Sequence, residues 1–355
     1  RIKRIMAYTT VNKSSDYFNT VLYTGTGSTQ NITGVGYQPD LVWIKRREIK
    51  DHNLVDAVRG VQNAIASNTT DAQGTYSNNL SAFGTDGFTL GTGTLVNASG
   101  GTYASWNWKA NGQGSSNTDG TINSTYTSAN TTSGFSIVKY TGTGSNATVG
   151  HGLGVIPKMI MVKNLSTNRD WAVYHKFLNP DGTGSQYYMH LNNADPRSSA
   201  STFWQNADPN STVFSIGTSN GVNTSGDNYI AYCYADTQGF SKFGAYTGNG
   251  NSNGVFNYTG FKPAFLMIKC SDTTGEHWHI HDTKRQTYNV DNRYLLANTS
   301  DAESTSSSYA IDILSNGFKT RTDNASTNGS SKTYLYMAFA EAPLVGSNNV
   351  PATAR

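Results

Sequence analysis

The heptapeptide PDLVWIK at residues 39–45 recurs as PKMIMVK at 157–163 and as PAFLMIK at 263–269. Each copy opens with proline, contains four consecutive apolar residues and ends in lysine. An apolar run without alternation is typical of a central strand that is covered on both faces. Proline fits the start of such a strand, because its missing N–H then removes no bond of the ladder. The sequence therefore predicts an all-β protein in which one buried strand occurs three times.

The sequence around these heptapeptides repeats as well. A Tyr-Thr-Gly-x-Gly turn precedes each copy, an Asn-x-x-Asp turn follows it, and an aromatic strand closes the repeat. Turn residues of these types bond nearby backbone N–H groups or tolerate positive φ, so they predict short strands joined by tight turns. In order of occurrence, the first turn lies at 23–27, 140–144 and 246–250, the second at 68–71, 192–195 and 298–301, and the aromatic strand at 103–108, 229–234 and 334–339.

Repeats of about 100 residues with turn signals at such short intervals predict three tandem β-sandwich domains of the jelly-roll or concanavalin-like kind. Almost nothing separates the second and third repeats, so we expect them to be rigidly coupled and residues 113–355 to fold without the first. Residues 1–5, before Met6, are interpreted as an upstream extension. The predicted units are an N-terminal segment 1–16, sandwiches 17–112, 134–236 and 237–341, a linker 113–133 with at most one hairpin around 122–127, and a tail 342–355.

Composition argues against several classes of function. Charged residues make up 14% of the 355 residues, and 26 basic against 23 acidic residues give a net charge of +3, so we expect no nucleic-acid partner. No apolar stretch is long enough for membrane insertion.

Two further groups of residues are expected to have structural roles. The basic cluster of Lys45, Arg46, Arg47 and Lys50 is expected to solvate a strand end. The two cysteines, Cys233 and Cys270, are expected to be reduced thiols in buried or half-buried strands.

Several segments resemble a family of virion appendage proteins of marine tailed bacteriophages, which are tail-fibre-like and carry concanavalin- or lectin-like sandwiches. The similarity runs from Met6 to the end of the chain. It implies a structural or adhesive protein located in the virion, assembled in the host cytoplasm, with other virion proteins as partners and a homotrimeric state. It implies no residue roles. The segments are MAYTTVNKSSDYFNT (6–20), ASWNWK (104–109), HGLGV (151–155), YIAYCYA (229–235), GFSKFG (239–244) and MAFAEAPLVGSNNVPATAR (337–355).

Three alternating histidines, His277, His279 and His281, form a candidate metal site. Alternate residues of a strand share a face, so the three imidazoles would line one side, and imidazole is a common ligand of zinc, nickel and iron. The alternative is a polar outer face with Trp278 and Ile280 in the core. The other repeats favour this alternative, because neither has histidine at the matching positions.

A second candidate is a charge pair with the same spacing in two repeats, Asp56 with Arg59 and Asp282 with Arg285, where the second repeat has His175 in place of the acid. Such a pair is either a local salt bridge that holds a loop or a ligand contact.

Exposed tryptophans are the third candidate, because Trp rings stack on sugar faces in glycan-binding sandwiches. Trp106 and Trp108 lie on one face of a strand, which is either a sugar platform or the core between the sheets. Trp204 precedes a polar loop and is predicted to be exposed.

Catalysis finds little support in the sequence. The chain has four glutamates, Glu48, Glu276, Glu303 and Glu341, and no pair of carboxylates that recurs between repeats. We therefore expect no enzyme and no cofactor. The favoured function is a tail fibre or tail-associated adhesin that binds host-surface glycans. The alternative is a capsid decoration or head-fibre protein, and a depolymerising tailspike would need two facing acids.

Overall fold

The computed structural model describes residues 9–179 and 181–343 of the chain. The start of the predicted N-terminal segment (1–8) and the predicted tail from 344 onward lie outside the described residues. Within these residues antiparallel strands dominate, with two helices of four residues, α1 (Thr94–Asn97) and α2 (Ser201–Trp204), and three 3-10 turns, Ser14–Asp16, Gly184–Gln186 and Ser307–Tyr309. The predicted all-β sandwich fold is confirmed.

The strands fall into three groups that follow the three sequence repeats. The first comprises β1 (Phe18–Thr24), β2 (Gln30–Ile32), β3 (Leu41–Arg46), β4 (His52–Asp56), β5 (Asn63–Ala64), β6 (Gly74–Thr75), β7 (Leu80–Gly84), β8 (Gly87–Leu90) and β9 (Thr102–Trp108). The second comprises β10 (Ser115–Asn117), β11 (Ser124–Asn130), β12 (Phe135–Thr141), β13 (Ala147–Gly150), β14 (Met159–Asn164), β15 (Ala172–His175), β16 (Tyr187–His190), β17 (Ser198–Ser199), β18 (Val213–Ile216) and β19 (Asn228–Tyr234). The third comprises β20 (Ser241–Thr247), β21 (Phe256–Tyr258), β22 (Phe261–Cys270), β23 (Trp278–Asp282), β24 (Arg293–Leu296), β25 (Ser304–Thr305), β26 (Ile311–Leu314), β27 (Gly317–Thr320) and β28 (Thr333–Pro343).

Among the described residues, each repeat builds a large antiparallel sheet with the same order of four corresponding strands and a smaller antiparallel sheet, and the first repeat adds the pair β5-β6. The large sheets contain β1-β9-β3-β4, β12-β19-β14-β15 and β20-β28-β22-β23, so the heptapeptide strand always lies between the closing aromatic strand and the strand that follows it. The small sheets are β2-β8-β7, β13-β18 and β21-β27-β26. The pairing of the large sheets therefore repeats three times along the chain, whereas the small sheet of the second repeat has two strands among the described residues instead of three.

The heptapeptide strand is buried on both faces, as predicted. In β3, Val42 and Ile44 pack with residues of the small sheet of their own repeat, such as Phe88. Leu41 and Trp43 point the other way, into a separate cluster. The same division holds in β14 and β22. Alternate residues of one strand therefore serve two different cores.

The second core is shared by all three repeats. It contains Trp43 and Trp106 of the first, Met161 of the second and Met267 and Phe339 of the third, all with 1% or less of their surface exposed. Each repeat is thus a two-layer sandwich whose large sheet also packs against the other two repeats. Burial of each such side chain contributes about 1.5–3 kcal/mol, so the shared core is a large part of the folding free energy.

A ring of three hydrogen bonds links the repeats around this core. Trp171 Nε1 donates to the carbonyl of Ala66 at 2.8 Å, and Trp278 Nε1 donates to the carbonyl of His190 at 3.0 Å. His52 occupies the matching position in the first repeat, and its Nε2 lies 3.0 Å from the carbonyl oxygen of Leu296. Each repeat therefore bonds one neighbour through equivalent residues, and the ring closes on itself.

The tautomer of His52 follows from this geometry. Its Nδ1 lies 2.8 Å from Trp43 Nε1, which can only donate. The Nδ1 atom must therefore accept, and the proton resides on Nε2, where it completes the ring.

Two expectations differ from the structure. The predicted linker contains β10 and β11, which extend the second large sheet through pairing of β11 with β12. Ser124, Thr127 and Ser128 of β11 are buried, so small hydroxyl residues suffice for this packing. Lys45 was expected to be solvated, whereas its side chain is buried and donates to the carbonyls of Arg46 and Glu48.

The lysine that closes each heptapeptide is buried in all three repeats. Lys45, Lys163 and Lys269 have no exposed surface, and burial lowers the pKa of each to about 8. Each ammonium group donates to backbone carbonyls, and Lys163 reaches Thr70 of the first repeat at 2.8 Å. The lysines thus satisfy loop carbonyls at the ends of the central strands.

Cys233 and Cys270 are buried in strands, as expected, and both are free thiols. Burial raises the pKa of the Cys233 thiol to about 12. Within the described ranges, no helix has the length and apolar character to span a membrane.

Candidate ligand-binding surface

The predicted exposure of Trp204 is wrong, because only 2% of its surface is accessible. Trp204 ends helix α2, and its ring meets Tyr174 edge-on at 6.0 Å inside the second sandwich. The preceding Phe203 is the half-buried aromatic of the pair, and it stacks on Tyr188 at 3.7 Å. Phe203 and Trp204 are adjacent in a one-turn helix, so their side chains point in different directions. Here the larger ring, that of Trp204, points inward.

Trp106 and Trp108 belong to the shared core, with 0% and 1% of their surfaces exposed. The ring of Trp108 packs edge-on against Phe265 and Phe339 of the third repeat. Of the two interpretations offered by the sequence, the core is correct. None of the three predicted tryptophans can stack on a sugar at the surface.

The three histidines do not form the candidate metal site. His279 and His281 lie on one side of β23, and both are buried rather than on a polar outer face, while Trp278 and Ile280 enter the shared core as expected. His277 precedes the strand, with its Nδ1 2.8 Å from the side-chain nitrogen of Asn298. Among the described residues, no three His, Cys, Asp or Glu side chains are arranged to hold a metal ion.

The surroundings of His279 are aromatic instead. Its ring centroid lies 4.5 Å from that of Tyr309 and 5.5 Å from that of Tyr294. Burial lowers the pKa of His279 well below its ordinary value, and the nearby His281 adds to this effect. The imidazole is therefore neutral in the folded protein at neutral pH.

The repeated charge pairs are buried salt bridges at contacts between repeats. Asp56 and Arg59 have 0% and 1% of their side chains exposed, and Asp56 also accepts a bond from the hydroxyl of Tyr232 of the second repeat at 2.7 Å. Asp282 pairs with Arg285 and accepts from Trp106 Nε1 of the first repeat. The salt-bridge interpretation is confirmed.

The second repeat makes the matching contact with a neutral group. His175 Nδ1 accepts from the backbone N–H of Phe177 at 3.2 Å, so Nε2 carries the proton and lies 3.3 Å from the carbonyl oxygen of Tyr336 of the third repeat. Burial lowers the pKa of His175 to about 4. All three positions therefore join neighbouring repeats.

The outer face of the small sheet of the first repeat carries an open cleft of about 240 Å³. Its hydrogen-bonding groups are mostly neutral, and two of its lining residues, Gly84 and Gly87, have no side chain. The hydroxyl of Thr89 donates to the side-chain oxygen of Asn31 at 2.8 Å. The lining residues are Asn31, Ile32, Thr33, Gly84, Thr85, Asp86, Gly87, Phe88 and Thr89.

Asp86 contributes the single carboxylate among these lining residues, and it has a structural role. Its oxygens accept from the backbone N–H groups of Gly34 at 3.1 Å and Gly36 at 2.6 Å, and these bonds lower the pKa of Asp86. The cleft thus offers amide and hydroxyl groups of the kind that bond sugar hydroxyls. It lacks the two facing acids of glycoside hydrolysis among its lining residues.

The third repeat presents a different outer face. Phe256 and Tyr258 of β21 are 44% and 58% exposed, whereas Asn257 between them is 7% exposed and points inward. Sequence reasoning missed both residues. The alternation of large and small exposure along a three-residue strand becomes evident only once the pairing of β21 with β27 is known.

Comparison with known proteins gives one family match. The family model described as a domain of unknown function, DUF7483, matches residues 13–343. A single model thus spans all three repeats, as the shared core does. No protein with curated annotation matches the chain.

Proposed function

We propose that this chain, which belongs to the DUF7483 family, is a structural protein of a bacteriophage virion, namely a tail fibre or tail-associated adhesin that binds host-surface glycans. The observation that carries the glycan-binding part is the amide- and hydroxyl-lined cleft on the first repeat. Sugar hydroxyls need many neutral donors and acceptors, and Asn31, Thr33, Thr85 and Thr89 offer them in the lining of the cleft. The virion part of the proposal is supported by the sequence resemblance.

The proposal includes other virion proteins as partners and a homotrimeric state. Several copies of a weak site on one particle gain avidity without any new contact, which suits an adhesin. Sedimentation equilibrium of the purified chain tests the trimer, since one chain has a mass of 38.3 kDa. A species of that mass alone would contradict homotrimerisation.

A capsid decoration or head-fibre protein is the second candidate. The observation that favours it is the shared core, because three sandwiches that pack on one another form a rigid body suited to a structural role. Gold-labelled antibody against the chain, imaged on intact particles, separates the two. We expect label at the tail. Label spread over the head would support decoration, and unlabelled particles would contradict both.

Glycan binding is tested on a glycan array with the purified chain and two variants. Asn31→Ala combined with Thr89→Val removes the bonded pair in the cleft, and we expect it to weaken binding. Thr141→Val combined with Asn228→Ala removes a similar exposed pair, 3.2 Å apart, in the second repeat and serves as the control. Equal binding by both variants would remove the cleft from the proposal.

A further inference from the structure

The outer face of the third small sheet carries two aromatic side chains on one short strand. Phe256 and Tyr258 alternate with the inward-pointing Asn257, so both rings lie on the same outer face, about 7 Å apart along the strand. Phe256 leans across the neighbouring strand: a Cβ atom on Gly317 would lie 3.0 Å from its ring. Gly317 thus leaves room for a flat aromatic surface.

The other two repeats show that the fold does not need aromatic residues here. In all three small sheets this strand pairs with one that contains a buried phenylalanine, Phe88, Phe214 or Phe318. Counting from that pairing, Phe256 corresponds to Asn31 and Thr148. Tyr258 corresponds in the same way to Thr33 and Gly150. The same backbone therefore forms with small polar or glycine residues at both positions.

Hydrogen-bonding groups surround the rings. Lys319 lies directly opposite Phe256 on β27, and Asp312 lies opposite Lys319 on β26, so the three form a row across the sheet at steps of about 5 Å. Lys319 Nζ donates to the side-chain oxygen of Asn253 at 2.7 Å, and Arg321 lies 3.5 Å from Asp312. An aromatic surface is thus bordered by an ammonium, a carboxylate and an amide.

We propose that Phe256 and Tyr258 form a carbohydrate-stacking site, on which the apolar face of a pyranose ring packs while its hydroxyls bond Lys319, Asp312 and Asn253. The exposed aromatic area favours a sugar over a protein partner. Two half-exposed rings supply about 200 Å², whereas a stable protein interface takes about 800 Å² from each partner. This inference rests on the proposed glycan binding and assigns it a second site that differs from the cleft in the first repeat.

Saturation-transfer-difference NMR tests the site with methyl β-D-glucopyranoside, methyl β-D-galactopyranoside and methyl N-acetyl-β-D-glucosaminide as probes. In the first of these, H1, H3 and H5 point to one face of the ring, so stacking on that face should saturate them together. The variant Phe256→Asn with Tyr258→Thr places the first repeat's residues in the third. Tyr76→Thr removes another exposed tyrosine, 47% accessible, and serves as the control.

We expect saturation of the ring protons of at least one probe by the parent chain and the control, and about tenfold weaker binding by the double variant. If the double variant does not fold, as judged by circular dichroism, Phe256→Asn and Phe256→Tyr replace it, with binding lost in the first and kept in the second. Equal saturation by the folded double variant would overturn this site and leave glycan binding elsewhere intact. Failure of the parent to bind any of the three probes, while it binds on the array, would also overturn it. Failure in both assays would remove the proposed glycan binding itself.

Discussion

At the scale of single residues, several buried contacts join atoms that lie far apart in the chain. The hydroxyl of Tyr232 reaches Asp56 across 176 positions of sequence. The shared spacing of Asp56 with Arg59 and Asp282 with Arg285 was enough to predict a salt bridge. It could not show that each pair is buried against another repeat, because that requires knowing where the repeats touch. Burial changes the energetics, since a charge left alone in the interior is costly.

Arg59→Met should therefore lower the free energy of unfolding by about 3–5 kcal/mol, because it leaves the buried carboxylate of Asp56 without its cation. Urea denaturation followed by tryptophan fluorescence measures this change. Lys13→Met removes one partner of an exposed pair, Lys13 with Asp16, and should change the same quantity by less than about 1 kcal/mol. Equal effects of the two substitutions would contradict the buried role of Arg59.

Buried neutral histidines predict a loss of stability in acid. Burial lowers the pKa of His52 to about 3 and that of His175 to about 4, against 6.5 in the unfolded chain. Below pH 6.5 the unfolded chain therefore binds protons that the folded protein does not. The free energy of unfolding is greatest above pH 6.5 and falls as the pH drops towards 4, by about 2 kcal/mol for each histidine at pH 5.

Thermal melts between pH 7.5 and pH 5 measure this effect. His175→Gln keeps a donor for the carbonyl of Tyr336 and an acceptor for the N–H of Phe177 but cannot titrate. Its melting temperature should therefore fall less than that of the parent over the same range. A parent whose melting temperature does not change would contradict the assignment of neutral buried imidazoles.

At the scale of secondary-structure elements, the sequence predicted the central strand but not the partner of its second face. Four consecutive apolar residues, Leu41 to Ile44, indicate burial on both sides, and β3 confirms it. The second layer turned out to be the other two repeats, which no local pattern encodes. The alternating pattern does not show whether Trp106 and Trp108 are buried or exposed, because a core and a sugar platform both require two rings on one face. The outward rings of Phe256 and Tyr258 went unnoticed for a related reason: a strand of three residues is too short to show a period.

Two tryptophans allow the hydrogen-bond ring to be tested at constant ring size. Trp171 Nε1 donates to the carbonyl of Ala66, whereas no bond to the buried Trp108 Nε1 is present among the described residues. Trp171→Phe and Trp108→Phe remove the same atoms, but only the first leaves a carbonyl without its donor. We expect Trp171→Phe to cost about 1–3 kcal/mol more free energy of unfolding than Trp108→Phe, measured by urea denaturation. A smaller cost for Trp171→Phe would mean that the ring contributes little to holding the repeats together.

At the scale of the whole molecule, the shared core makes the three repeats depend on one another for their stability. Three separate sandwiches would each fold alone, and the short junction between the second and third suggested that residues 113–355 form a stable fragment. In the structure, the first repeat contributes three tryptophans to this core, Trp43, Trp106 and Trp108. The rings of Trp43 and Trp106 contact each other, and those of Trp106 and Trp108 also contact aromatic rings of the other repeats. A fragment without them would expose the second face of two large sheets, including Met161 and Met267. It would also lose two hydrogen bonds. Asp282 would lack the N–H donor of Trp106, and Trp171 Nε1 would lack the carbonyl of Ala66 as its acceptor.

We therefore expect the chain over residues 9–343 to unfold in one cooperative transition, and the fragment 113–355 to lack a native-like state. Differential scanning calorimetry of the longer chain should give a calorimetric enthalpy equal to the van't Hoff enthalpy, since the repeats cannot unfold separately without opening the common core. The fragment should bind a hydrophobic dye and show a broad melt, because the apolar side chains that packed on the first repeat would be exposed. Adding the first repeat as a separate polypeptide supplies a control, as it should sharpen the melt if the missing contacts are the cause. A fragment that melts sharply without it, or a longer chain with three resolved transitions, would mean that each sandwich is stable on its own cluster and that the shared core adds little.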